Sequence, residues 1–478
     1  METYKDCDDV VFQSFLVAGK FPALMAYVDG LTNTEELDEN VLRSLMSIDP
    51  KEAEEWIQAD EHQERFIPIS SSGPVNNWQD GLLHLSGGHA LLLVQDKGFF
   101  LSVTRFETRQ IVEPETEPVI RGPKDGFIES MRINTALLRR KIRTPRLKMK
   151  TLQIGRLTAT SVTIVYIQDL ADPKVIQTVW DRLQQIDIDG VLESSYLEEF
   201  IEDHPYSPFP QVKPSERVDV VASSLLQGRI AIVTDNTPVV LTLPITLPSL
   251  LQSPEDYYER YTFSTAVRWL RIALFICSIT LPSLYISIMT FHQEMIPTQL
   301  LNSIASAREA IPFPTLIEVL IMEAAFESLR EAGIRLPKQV GFAVTIVGAL
   351  VIGEAAVSAG IISSPIVIVV AFTGIASFTV PRFAAGLPIR LLRFPLTVIS
   401  GIFGLVGMMI GLIVLCIHLC SIKSFGVNYM SPFAPIRTGD FKDVIVRAPW
   451  WKMNQRPSTV HGNPNRQPVS KPSADRKE

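Results

Sequence analysis

Four long apolar segments, residues 269–291, 340–362, 365–380 and 395–420, constrain this chain more than anything else in it. Each runs about 16 to 26 residues, and roughly 20 suffice to cross the hydrocarbon core of a bilayer. Charge is abundant up to about Arg271 and sparse from there to Cys420, so one chain addresses two solvents. A fifth segment, residues 313–329, is apolar but interrupted by Glu318, Glu323 and Glu327. The 478 residues allow two or three domains, and 46% hydrophobic residues with a mean hydropathy of +0.19 is high for a wholly soluble protein. The fold expected is an α+β soluble N-terminal half in two subdomains, followed by an α-helical transmembrane bundle of four strong spans plus the one carboxylate-containing segment. Its divisions fall at residues 1–147, 148–252, 253–422 and a polar, partly disordered tail, 423–478.

Several function classes are excluded early. A net charge of −7 and a pI near 5.7 give no electrostatic reason to bind nucleic acid. The cysteines Cys7, Cys277, Cys416 and Cys420 form neither a disulfide framework nor a zinc spacing, and the seven scattered histidines suggest no metal. Phosphate-binding loops, dinucleotide fingerprints and nucleophile elbows are absent, so the chain reads as non-enzymatic and without a cofactor. No apolar leader follows Met1, and Arg268 and Arg271 stand at the entrance to the first apolar segment, which places the soluble half in the cytoplasm.

In the soluble half, apolar residues at three- and four-residue spacings predict short helices from Asp8 to about Gln63. Strands are expected over 88–94 and 99–106, a helix over 127–143, strands over 151–154 and 160–167, a helix over 173–186, and a hairpin pairing 229–233 with 239–243. The basic run Arg139, Arg140, Lys141, Arg143, Arg146, Lys148 and Lys150 reads as a solvated helix end, with attraction to anionic lipid as the rival reading.

Carboxylates at bilayer depth are the sharpest functional signal, since they cost several kcal/mol unless they face protein or water. Glu354 lies deep in residues 340–362, and Glu323 and Glu327 share one helix face, with Glu318 nearly opposite Glu327. These are candidates to line a path for cations. In the structural alternative, Glu323 and Glu327 pair with Arg330, and Glu354 is protonated or hydrogen-bonded between helices. Ala356 with Gly360, and Gly404 and Gly407 with Gly411, are candidate helix-packing positions. Counting Arg330, Arg335 and Lys338 in one loop and Arg382, Arg390 and Arg393 in another favours five spans, which puts the tail on the face opposite the soluble half; if residues 313–329 are instead re-entrant or interfacial, the tail returns to the side of the soluble half but the two arginine-rich loops do not.

From Arg121-Gly122-Pro123-Lys124 onward the sequence resembles the A subunit of bacterial spore germinant receptors, the GerA family. The resemblance continues through Tyr206-Ser207-Pro208-Phe209-Pro210-Gln211, Ser253-Pro254-Glu255-Asp256-Tyr257-Tyr258, Pro312-Phe313-Pro314, Gly353-Glu354-Ala355-Ala356 and Ser377-Phe378-Thr379-Val380-Pro381, all in chain order. It implies a multi-pass subunit of the spore inner membrane that responds to nutrients and triggers germination. It further implies a transporter-like B subunit and a lipoprotein C subunit as partners, and a homo-oligomeric ring around a cation-conducting pore. The rival readings are a secondary transporter and a non-conducting scaffold, although no internal repeat of the transporter kind is evident.

Overall fold

The first apolar positions of the chain form strands, not the expected helices. Val10, Val11, Phe12, Phe15 and Val17 are β-branched or aromatic, and the turn that follows places both Ala18 and Gly19 at positive φ. In this computed structural model, which describes residues 2–58, 72–75, 77–95, 97–105, 113–114, 116–336, 348, 351–457 and 466, β1 (Val10–Val17) pairs antiparallel with β2 (Phe21–Val28). Spacings of three and four mislead here because the segment is too short to separate helical period from strand period. Pairing of β2 on its other side with the strand Ala90–Val94 decides the outcome. Apart from a single 3-10 turn at Glu2–Tyr4, helices begin at Thr34, where the Asn33 side chain caps the first turn through Glu36 N, and continue over 34–47 and Pro50–Gln58.

The first sheet has the order β1-β2-β4-β5-β3, with β3 (Ser72–Pro74), β4 (Ala90–Val94) and β5 (Lys97–Leu101). Trp56, Leu37 and Leu45 pack against Met25, Leu92 and Phe99 on one face. The second sheet repeats the plan as β6-β7-β9-β10-β8: Leu147–Ile154, Thr160–Ile167, Ile230–Thr234, Val240–Leu243 and Lys213–Ser215. Every residue of β9 and β10 is buried because helices cover both faces. Val179, Leu183 and Leu197 cover one face, and Leu137, Leu138 and Val221 the other. Two antiparallel α+β sheets therefore stand where two subdomains were expected.

The basic run does not behave as one solvated unit. Arg139 is fully buried and holds Asp9 with both ends of its guanidinium, at 2.6 and 2.7 Å, while Lys148 Nζ donates to Thr3 O at 2.7 Å. Both tie the N-terminal segment to the second sheet.

Beyond the sheets the chain becomes helical: a first long helix (Tyr261–Phe291), a short one (Thr298–Arg308), a carboxylate helix (Thr315–Arg335), helical residues 351–358, a fifteen-residue helix (Ser364–Phe378) and a final helical stretch (Phe383–Ser421). The first and last are long and apolar enough to cross a membrane, and of the expected segment 340–362 residues 340–347, 349 and 350 lie outside the described residues. The final stretch is not one rod. At Gly404 the backbone takes φ 65° and ψ −148°, and beyond it the chain doubles back. A Cβ on Gly407 would lie 2.6 Å from Ile399 O, and one on Gly411 would lie 2.5 Å from Leu396 Cδ1. In a straight helix Leu396 and Gly411 would be about 22 Å apart along the axis. Residues 395–420, expected as a single span, thus hold the end of an outgoing arm, a turn, and a returning arm.

The returning arm brings the tail back to the sheets. Ser207 Oγ meets His418 Nε2 at 3.0 Å, Ser424 Oγ donates to Gln211 O at 2.7 Å, and Leu247 N donates to Tyr429 O at 2.8 Å. A tail opposite the soluble half, as five passes require, is not what the structure contains. The extra reversal at Gly404 was invisible to charge counting because no charge accompanies it.

Candidate functional site

Of the four carboxylates in the apolar segments 313–329 and 340–362, three are held by arginines of the same chain. Glu318, fully buried, accepts from Ser363 N at 2.9 Å and pairs with Arg308 Nη2 at 3.1 Å, so it caps the helix Ser364–Phe378. One turn and a half further along, Glu323 is also fully buried, with Arg393 Nε 3.1 Å from its Oε1. That contact pairs the charges without the alignment of a hydrogen bond, and both Glu323 oxygens lack a hydrogen-bond partner among the described residues. Glu327 accepts from Arg390 Nη1 at 2.8 Å and lies 3.7 Å from Arg330 Nη1. Arg330 in turn donates to Ser377 Oγ at 2.7 Å and stacks over Phe378.

Arg330 was expected as the partner of both Glu323 and Glu327 and meets only Glu327, whereas Arg308, Arg390 and Arg393 were missed as partners. Arg330 lies inside the carboxylate helix, and Arg390 and Arg393 lie inside the outgoing arm, whereas loop positions were expected for all three. A signal existed in their spacing: Glu323 and Glu327 are four apart, Arg390 and Arg393 three apart, and two antiparallel helices can bring such pairs into register. Arg382 does lie in the loop before the final helical stretch, as expected, and pairs there with Glu117 of the soluble half.

Glu354 differs from the other three. It is exposed on helical residues 351–358, in company with Val351, Ala355 and Ser358, and has no hydrogen bond or ion pair among the described residues. The opposite side of the same turn faces inward, where Gly353 approaches Val367 and Ala356 packs near Ile362 and Ile366. Gly360 ends that helix at φ 64°, with Ile361 N bonded to Ala356 O, the glycine-dependent C-terminal motif. Gly404 makes the turn just described, where a Cβ would meet Phe291 at 3.0 Å, and Gly407 and Gly411 let the hairpin arms touch.

A second charged cluster joins the soluble half to the first helix. Asp256 accepts from Arg268 Nε at 2.9 Å and from Arg271 at 3.0 and 3.2 Å, all three residues being buried or nearly so. Trp269 Nε1 donates to Ile445 O at 3.0 Å, and Arg447 Nε donates to Asp256 O at 3.2 Å, so the tail clamps the same junction. The helical region can therefore move relative to the sheets only by breaking charge-assisted hydrogen bonds.

The description Bacillus/Clostridium GerA spore germination protein matches residues 1–459 of the chain. The chain is similar to the "Uncharacterized membrane protein YfkQ" of Bacillus subtilis (strain 168), 48% identical over 459 residues, which is 95% of this chain and 88% of that protein. It is also similar to "Spore germination protein KA" of the same organism, 44% identical over 436 residues, 91% of this chain and 80% of that one. Among solved structures, the N-terminal domain of the A subunit of the Bacillus megaterium spore germinant receptor GerK3 matches at 32% identity and a TM-score of 0.39, covering 51% of this chain and 91% of that chain.

Proposed function

This chain belongs to the GerA family of spore germination proteins, and from that premise we propose that it is the A-type membrane subunit of a nutrient-responsive germinant receptor, working as a homo-oligomer that conducts cations when a partner binds nutrient. Family membership makes it a membrane protein of spore germination and not an enzyme. Its place is the spore inner membrane, with the two sheets and the tail together on the cytoplasmic side. A transporter-like B subunit and a lipoprotein C subunit are its partners in this reading.

Glu354 carries the proposal. An ionised carboxylate facing lipid costs about 3 kcal/mol or more, and this one has no arginine to neutralise it among the described residues. Water or a second copy of the chain relieves that cost, and a ring of copies supplies both. Glu318, Glu323 and Glu327 are spoken for by Arg308, Arg393 and Arg390, which favours Glu354 among the ion-path candidates. Ligand binding by a partner would then shift a closed-to-open equilibrium of the oligomer.

Planar-bilayer recording of the purified receptor complex tests this reading. Stepwise cation currents that fall in Glu354→Gln support it. Currents unchanged in that variant remove Glu354 from the path, and silence with all partners present favours a scaffold.

A further inference from the structure

Two adjoining cavities of about 310 and 140 Å³ lie between the second sheet and the tail, and Gln227, Arg229, Ser249, Gln252 and Arg466 stand in the walls of both. Their chemistry is lopsided. Lys213, on the edge strand β8, lines the smaller one; it is only 7% exposed, yet its ammonium has no hydrogen bond or ion pair among the described residues. Arg229, at the start of β9, likewise makes no side-chain hydrogen bond or ion pair among the described residues. Arg466 rests its guanidinium over Trp450, and its Nη1 is buried with no hydrogen-bond partner among the described residues.

The carboxylates nearby do not balance these cations. Asp219 is held by both ends of Arg217, at 3.0 and 2.9 Å, and by Tyr258. Asp443 accepts from Tyr257 Oη at 2.9 Å and lies 3.5 Å from Arg268. Asp440, in the wall of the larger cavity, has contacts of its own, while Lys442 and Lys452 add further positive charge. Burial, with Arg229 the second cause, pushes the Lys213 ammonium down to about 7. Asp443 attracts Arg229 and Arg466, and Asp219 attracts Lys213, but each carboxylate is already engaged by another arginine, Arg268 or Arg217, so positive charge stays in excess and a bound anion removes its cost.

We propose that Lys213, Arg229 and Arg466 form a binding site for the phosphate group of a small phosphate-bearing anion, seated between the second sheet and the C-terminal tail. A phosphate carries up to two charges and several acceptor oxygens, which suits two guanidinium groups and an ammonium better than a single carboxylate does. The larger cavity has room for the remainder of a ligand of modest size. Tyr257 and Tyr258 line the smaller cavity and immediately precede the first long helix, so the phosphate of a lipid headgroup and that of a soluble phosphomonoester share the same chemistry here.

The test uses the full-length protein. In detergent, thermal unfolding is followed during titration with inorganic phosphate and with glycerol 3-phosphate, at constant ionic strength against chloride. In a second arm it is followed in phosphatidylcholine nanodiscs with and without phosphatidic acid. A saturable rise in the first arm alone identifies a soluble ligand, and a rise in the second alone a lipid headgroup; either supports the site. Arg229→Gln is expected to weaken binding by about tenfold or more. Lys213→Met should be more stable than wild type without phosphate and gain nothing from it, a pairing that a merely structural lysine would not produce. If Lys213→Met does not fold, Arg229→Gln and Arg466→Gln decide. No saturable effect in either arm, or undiminished affinity in the variants, overturns the proposal.

Discussion

Leu396 lies directly against Gly411: a Cβ added to the glycine would come within 2.5 Å of Leu396 Cδ1. This contact across the hairpin at Gly404 turns the final helical stretch back on itself, so that the tail returns to the sheets.

The hairpin rests on a backbone conformation open to glycine. Gly404→Ala should destabilise the detergent-solubilised protein by about 1 to 3 kcal/mol, because a positive φ with ψ near −150° is strained for any residue with a Cβ and Phe291 crowds the site. Gly386→Ala, in the outgoing arm with open space around it, should instead be neutral or stabilising by up to about 1 kcal/mol. Equal effects of the two in thermal unfolding would contradict the turn.

Both ends of the helical region lie on one side. In a cysteine-free background, Tyr206→Cys and Ile436→Cys should react with a membrane-impermeant maleimide from the same face of the membrane, and Glu294→Cys from the other. Reaction of Tyr206→Cys and Ile436→Cys from opposite faces would restore the odd number of spans.

Removing one partner of a buried pair leaves the other charge stranded. Glu323→Gln should cost about 3 to 5 kcal/mol by exposing Arg393 to that fate, whereas Glu323→Gln with Arg393→Met should recover most of the loss. A double variant no more stable than the single one would show that the two charges do not depend on each other. If the oligomer conducts cations as proposed, the double variant should carry the same current, because this pair is neutralised within the chain.

A pH dependence arises in the soluble half. Burial first, then Glu202 and Glu193, pushes the Glu198 carboxyl up to about 8, and burial pushes Glu202 up to about 7 despite a hydrogen bond from Gln211 N. Both folded-state values lie above the ordinary 4.5, so the folded protein binds more protons across that interval. Their contribution to stability is fully present below about pH 4.5 and is lost as pH rises through about 7 to 8. Thermal midpoints across this range should fall with rising pH, and Glu198→Gln should flatten the slope; an unchanged slope would count against burial of Glu198 as its cause.

What the sequence determined by itself was the division into two solvents, the β-rich pairs of the second sheet, the family, and the presence of carboxylates in an apolar setting. Each of these is a local property: runs of hydropathy, alternation along a strand, residue types in chain order. Only the tertiary structure decided which carboxylates are neutralised, because Glu323 and Arg393, or Glu327 and Arg390, meet across helices that are far apart in the chain. It also decided that Val10–Val17 is a strand, through its pairing with β2, and that the tail returns to the sheets. The reversal at Gly404 shows why. Hydropathy measures the solvent around a segment, not its direction, and a glycine turn inside an apolar run changes direction without changing solvent.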